Sequence, residues 1–180
     1  GCSSLKEIQI PPSVTTICES SFEGCSSLKQ LTIPSSVTQI GKSAFSHCSS
    51  LIQIAIPSSI TQIRDGVFSH CSSLTEITIS SSVTQIGDNA FDSCSSLAEI
   101  TIPSSVTQIG DNIFNSCSSL TLIKVQQDHK SRLKFLENEL LISKSSNDGD
   151  YDTLIWVKKN IKIVNIPLSI KIIKGGSFEG

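Results

Sequence analysis

The chain has few of the features by which a function is usually recognised. No apolar run approaches the ~20 residues that a membrane helix needs. Charge is balanced at 14 basic against 16 acidic residues, a net of −2, so no field draws nucleic acid or an anionic membrane. There is no Gly-x-Ser-x-Gly elbow, phosphate-binding glycine loop, HExxH or EF-hand pattern, which removes the commonest hydrolase, nucleotide and metal classes. No N-x-Ser/Thr sequon occurs, and there is one Trp and one Tyr. The reading is therefore of a chain that is not an enzyme and has no cofactor and no metal.

What is present is repetition. Cys2, Cys25, Cys48, Cys71, Cys94 and Cys117 recur at one fixed interval, and Phe22, Phe45, Phe68, Phe91 and Phe114 keep the same interval. A fixed period in the twenties marks a solenoid, with one coil per repeat. Within a unit, Leu28-x-x-Leu31-x-Ile33 alternates as a half-buried strand does. Pro34 ends the ladder because it has no N–H. Val37 and Ile40 return inward. Gly41, Gly87 and Gly110 are expected to make tight turns with φ > 0. Ala44-Phe45 is expected on a short turn with the ring inside. The core is then a set of columns, such as Leu5, Leu28, Leu51, Leu74, Leu97 and Leu120. Gly1-Cys2-Ser3-Ser4-Leu5 repeats Gly24-Cys25-Ser26-Ser27-Leu28, so the chain is expected to be a piece of a longer array. No signal peptide is visible, and a piece of an array would show none.

The phrase Leu-x-x-Ile-x-Ile-Pro-x-x-Val-x-x-Ile-Gly-x-x-Ala-Phe-x-x-Cys resembles the repeat of the BspA-like leucine-rich repeat family, without a gap over residues 1–125. Members of that family are surface or secreted proteins of anaerobic bacteria and of protist parasites such as trichomonads and Entamoeba. The resemblance implies a role in adhesion to host cells and matrix proteins. The Cys-Ser-Ser-Leu and Pro-Ser-Ser-Val wording is most similar to the protist branch.

After Cys117 the pattern breaks. Ile161, Val164, Ile166, Pro167, Ile170, Ile173 and Phe178 match Leu97, Ile100, Ile102, Pro103, Val106, Ile109 and Phe114 at nearly three times the regular interval, so one repeat carries an insertion. Inside it, Glu139–Ser143 and Thr153–Val157 read as two strands of a hairpin around a loop rich in Ser, Asn, Asp and Gly. Some BspA-like arrays carry a similar extended repeat. Trp156 and Tyr151 both lie in this insertion. The plainer reading of Trp156 is that it packs the hairpin onto the solenoid; the other is an exposed anchor for a partner.

The column cysteines are read as six buried, reduced thiols, since stacked side chains have parallel Cβ vectors and a disulfide needs converging ones. No pair has the C-x₂-C spacing of a zinc site. Cys18, at a turn, is expected to be exposed. Such thiols sit uneasily with a long extracellular life. His47 and His70 share a column in adjacent repeats; a two-histidine metal site lacks a carboxylate in that column, and solvent-facing turn residues are the reading adopted. His129 is alone. The serines are read as turn residues bonding local backbone. Lys158, Lys159, Lys162, Lys171 and Lys174 read as a solvated face, or as a patch for an anionic partner.

The expected fold is an α/β-type repeat solenoid, mostly β: a right-handed leucine-rich repeat superhelix with a parallel sheet on its concave face. Residues 1–125 hold five regular repeats and the strand of a sixth, 126–160 an insertion with a β-hairpin, and 161–180 the resumed repeat. The expected function is non-catalytic protein binding within a cell-surface adhesin or antigen, with a host matrix or cell-surface protein as partner. No nucleic acid partner and no membrane insertion is expected. The contact surface is placed on outward strand positions: Glu7, Gln30, Gln53, Glu76, Glu99 and Leu122 in one column, and Thr32, Thr78 and Thr101 in the next, with Trp156 added from the insertion. The plainer reading of both columns is that small polar residues keep a sheet face soluble. Location is the cell surface or outside it, by resemblance. The alternative is a cytoplasmic leucine-rich repeat scaffold, which the reduced thiols and missing sequons favour.

Overall fold

A computed structural model describes residues 1–126, 132–136, 140–144, 151–157, 168–175 and 177. Ile161, Val164, Ile166, Pro167 and Phe178 of the resumed repeat lie outside these residues, as do His129, Lys158, Lys159, Lys162 and the side chain of Tyr151. The chain is a mostly-β solenoid with no helix among the described residues, so the coil lies at the β end of the α/β-type expectation.

Each coil is a polygon whose corners are recurring turns. Leu28 N–H donates to Cys25 O and Val37 N–H to Pro34 O, both at 3.0 Å, and the same bonds recur one period on at Leu51–Cys48 and Ile60–Pro57. Between corners lie two lines of short parallel strands. The first contains β3 (Gln53–Ala55), β5 (Glu76–Thr78), β7 (Glu99–Ile102) and β9 (Leu122–Val125). It pairs in blocks, β3 with β5 and β7 with β9, with Gln30 bridged to Gln53. The second contains β1 (Thr16–Ile17), β2 (Gln39–Ile40), β4 (Gln62–Ile63), β6 (Gln85–Ile86) and β8 (Gln108–Ile109). Register is one period throughout, as in Ile54↔Ile77 and Ile86↔Ile109.

That register stacks like on like. The rings of Phe22, Phe45, Phe68, Phe91 and Phe114 form one column, with successive centroids 5.4, 5.7, 5.8 and 5.9 Å apart. Near-parallel rings at this separation are offset stacks, the arrangement the ring quadrupole favours. Leu28, Leu51, Leu74, Leu97 and Leu120 are wholly buried beside them.

Polar side chains also stack, and here the structure corrects three expectations. Ser21 and Ser177 do bond local backbone, at Cys18 O and Lys174 O, but others reach across coils: Ser36, Ser59, Ser82 and Ser105 donate at 2.6–2.8 Å to the carbonyls of Val14, Val37, Ile60 and Val83 in the coil before. The cysteine thiols are more than small hydrophobes. Those of Cys48, Cys71, Cys94 and Cys117 donate at 3.1–3.2 Å to Phe22, Phe45, Phe68 and Phe91 carbonyls, again in the coil before. Five column cysteines are buried, not six, because Cys2 is exposed with Cys18; all seven are free. The third correction concerns glycine. Positive φ falls on two other columns, Ser20, Ser43, Gly66, Asn89, Asn112 and Gly24, His47, His70, Ser93, Ser116. Gly41, Gly87 and Gly110 are there for close approach: a Cβ on Gly87 would lie 2.6 Å from the Asp65 amide nitrogen, and one on Gly41 2.6 Å from the Cys18 carbonyl carbon.

The stretch after residue 126 adds an antiparallel sheet. β11 (Leu140–Lys144) and β12 (Tyr151–Val157) pair as the hairpin expected from the sequence. A third strand, β10 (Leu133–Leu136), is not among the expected ones and pairs with β11. β13 (Ile172–Ile173) lies parallel to β12, Leu154 opposite Ile173. Trp156, only 3% exposed, joins Leu133, Leu141 and Ile155 in the solenoid's own core. The coil register also resumes. Asn112 N–H donates to Gly175 O, just as Asn89 N–H, one period earlier, donates to Asp111 O. Gly175 thus stands to Asn112 as Asp111 stands to Asn89, with the insertion looped out between.

Two outcomes follow from the columns. Phe68→Ala empties a slot with rings on both sides and should cost roughly 3–5 kcal/mol; Phe22→Ala, stacked on one side and half-buried, should cost less. Urea denaturation measures both, and equal losses would contradict a one-dimensional stack. The thiols make the second. Burial pushes Cys48 up to about 12 and Cys71 and Cys94 further. Unfolded thiols ionise near ~8.5, so above that pH unfolding releases protons. Stability is therefore complete below pH ~8.5 and falls as pH rises, by about 1.4 kcal/mol per unit for each such thiol. Denaturant titrations from pH 8 to 11 check the slope, which Cys71→Ser should reduce by one thiol's share. Native protein should show two reactive thiols, Cys2 and Cys18, and all seven when unfolded.

Candidate partner-binding face

The outward positions of the first strand line form two adjacent columns. Because side chains alternate along a strand, Ile54, Ile77 and Ile100 point into the core while their neighbours face out. Glu7, Gln30, Gln53, Glu76, Glu99 and Leu122 are all exposed. Thr32 and Thr78 are exposed and Thr101 is half-buried. The register sets Gln53 beside Glu76 and Glu99 beside Leu122. These nine residues thus lie along one surface. Trp156, the tenth residue expected at the interface, does not: its burial in the core removes it from any contact surface. The plainer of the two sequence readings of Trp156, a ring that packs the hairpin onto the solenoid, is the one that the packing shows.

The face is shallow. An open depression of about 380 Å³ lies among Thr32, Gln53, Ala55, Glu76 and Thr78. Another of about 560 Å³ follows Glu76, Thr78, Glu99 and Thr101. Lys124 closes one end with an ion pair to Glu99 at 3.1 Å, both side chains more than half exposed. A pair of that kind contributes at most ~1 kcal/mol.

The second strand line shows a different surface. Gln39, Gln62 and Gln108 face outward beside Thr38, Thr61 and Thr84. Thr38, Thr84 and Thr107 hydroxyls are committed to carbonyls of the preceding coil at 3.2–3.3 Å. At the following turn Lys42 bonds Asp65 at 2.7 Å; that bond raises the lysine's pKa and lowers the carboxyl's. Asp88 Oδ1 accepts the Asp111 N–H at 2.8 Å, and Asp111 meets Lys174 at 2.7 Å. Lys174 is thus tied to the coil before it, while Lys171 is exposed. With the side chains as they stand, no three His, Cys, Asp or Glu among the described residues converge as metal ligands. No described helix is long and apolar enough to cross a membrane.

The comparisons agree with this geometry. The profile of the BspA type leucine rich repeat region matches in six copies over residues 1–121. The chain belongs to the BspA-type leucine-rich repeat family. A leucine rich cell surface protein of Faecalibacterium prausnitzii is 33% identical, with a TM-score of 0.70 over 92% of this chain and 50% of that one. A leucine-rich repeat protein of Bacteroides ovatus is 39% identical, with a TM-score of 0.62 over 65% of this chain and 33% of that one. The pneumococcal vaccine antigen PcpA is 28% identical, with a TM-score of 0.77 over 94% of this chain and 41% of that one. This BspA-type chain spans half or less of the length of each of these solved proteins. No curated protein matches it. Leucine-rich repeat proteins of this kind are generally non-catalytic, and the solenoid is consistent with a protein-binding repeat domain.

Proposed function

We propose that this chain is a non-catalytic protein-binding segment of a cell-surface adhesin or antigen, and that it holds a host matrix or cell-surface protein on the first strand line. One observation carries the reading: Gln53, Glu76, Glu99 and Leu122 are successive outward positions of one strand line, all exposed. Each coil offers only two or three short side chains there, so binding energy is spread over several coils and not held in one hot spot. The shallow depressions suit a protein surface better than a small molecule, which needs a deeper cleft. Likeness to a cell surface protein and to a vaccine antigen supports the location.

A second reading is an intracellular scaffold. The free thiol of Cys18, exposed at a turn, favours it, because exposed thiols oxidise outside the cell. Surface labelling of the full-length protein on intact cells separates the two.

The face is tested by charge reversal. Changing Gln53, Glu76 and Glu99 together to Lys should abolish attachment to a panel of purified matrix proteins. The fold should lose little, apart from repulsion between stacked lysines. The control changes Gln39, Gln62 and Gln85 to Lys on the second line. Attachment is compared at matched circular dichroism. Normal attachment by the first variant with loss in the second would assign the contact to the other face.

A further inference from the structure

We propose that the first strand line is also a self-association surface, on which two copies of this chain meet face to face about a two-fold axis. The copies run antiparallel, and the axis follows the strand of the third coil past Ile52. The order of charge along the face points to this partner. The first coil presents Lys6 and Glu7, the second Lys29, the third Ile52, the fourth Glu76 and the fifth Glu99, all of them exposed. Lys124 of the sixth coil is bonded to Glu99 at 3.1 Å. Lys6, Glu7, Lys29 and Glu76 make no ion pair among the described residues. An open depression of about 770 Å³ gathers Lys6, Lys29 and Ile52 on one surface. Glu76 and Glu99 line the one of about 560 Å³ further along.

This pattern is complementary to its own reverse. Turning one copy over about the third coil exchanges second coil with fourth and first with fifth, so the contact is isologous. Each Lys29 then faces the other copy one strand position from Glu76, a step of ~3.3 Å that its flexible stem spans. Lys6 reaches Glu99 in the same way, and Glu7 meets the lysine that Glu99 brings with it. Lys6, Lys29 and Lys124 thus balance Glu7, Glu76 and Glu99. Ile52, a large apolar side chain left 41% exposed, lies on the axis and packs on its counterpart. A parallel arrangement sets lysine on lysine and glutamate on glutamate, which excludes it. An outside partner needs no such internal symmetry, so the face's own charges favour a second copy, and a host protein competes for the same surface. Six coils ~4.8 Å apart with strands of about five residues give a footprint of roughly 24 by 16 Å. That is the size of a weak, reversible association.

The chain, kept reduced so that Cys2 and Cys18 form no cross-link, is followed by sedimentation equilibrium at low salt from about 1 μM to about 1 mM. Wild type should pass from monomer to dimer, and the dimer should weaken as salt rises. Lys29→Glu and Glu76→Lys should each weaken it at least about tenfold, because each brings like charges together. An equimolar mixture of these two variants should recover the association, since each supplies the charge that the other lacks. Ile52→Asp, on the axis, should abolish it. All the changed positions are exposed, and the variants are compared at matched circular dichroism. Monomer at every concentration would overturn the proposal, and a monomer that still holds a matrix protein would leave the face to an outside partner alone. A dimer that survives Ile52→Asp, or single variants whose mixture stays monomeric, would overturn the antiparallel contact.

Discussion

The whole structure depends on coils stacking in register at one strand spacing, ~4.7–4.9 Å. That constraint makes each buried position answer to the same position one period away. Phe must meet Phe, and Ile54 must meet Ile77. The core therefore needs no unique jigsaw, and stability accumulates coil by coil, nearest neighbour on nearest neighbour. The same constraint decides where side chains are forbidden. Gly41 and Gly87 sit where one coil's backbone presses on the next, so a methyl group there competes with the ladder itself.

Polar chemistry obeys the same rule. Serine hydroxyls, threonine hydroxyls, cysteine thiols and Asp88 all direct their bonds one coil away. The threonine hydroxyls and cysteine thiols share carbonyls that already accept a backbone N–H, as at Thr61 O and Phe45 O, using the second lone pair of each. Burial keeps the thiols of Cys48, Cys71 and Cys94 protonated, because loss of solvent penalises the thiolate. The five buried cysteines of the column are thus a structural ladder, inert in the folded state, while Cys18 is exposed at a turn outside it.

The insertion shows how an array admits a foreign piece. β10, β11 and β12 make their own antiparallel pairing, yet Leu133, Leu141, Ile155 and Trp156 enter the common core. Lys174 N–H bonds Leu154 O, so β12 stands where a regular coil would offer its own strand. The proposed partner-binding face lies on the strand line of the regular repeats, whose last strand, β9, touches β10 of this insertion.

The sequence alone determined the solenoid, its period and the identity of the core columns, because a one-dimensional stack writes its contacts as a repeat. It also marked the outward columns, since alternation along a strand is local. What it left open depended on contacts that period does not encode. The strand β10, the inter-coil reach of the serines and the close approach at Gly87 are set by neighbouring backbone. So is the meeting of Asp92 with His70. The two belong to different columns, and only the turn geometry, with His70 in the left-handed region, carries one toward the other.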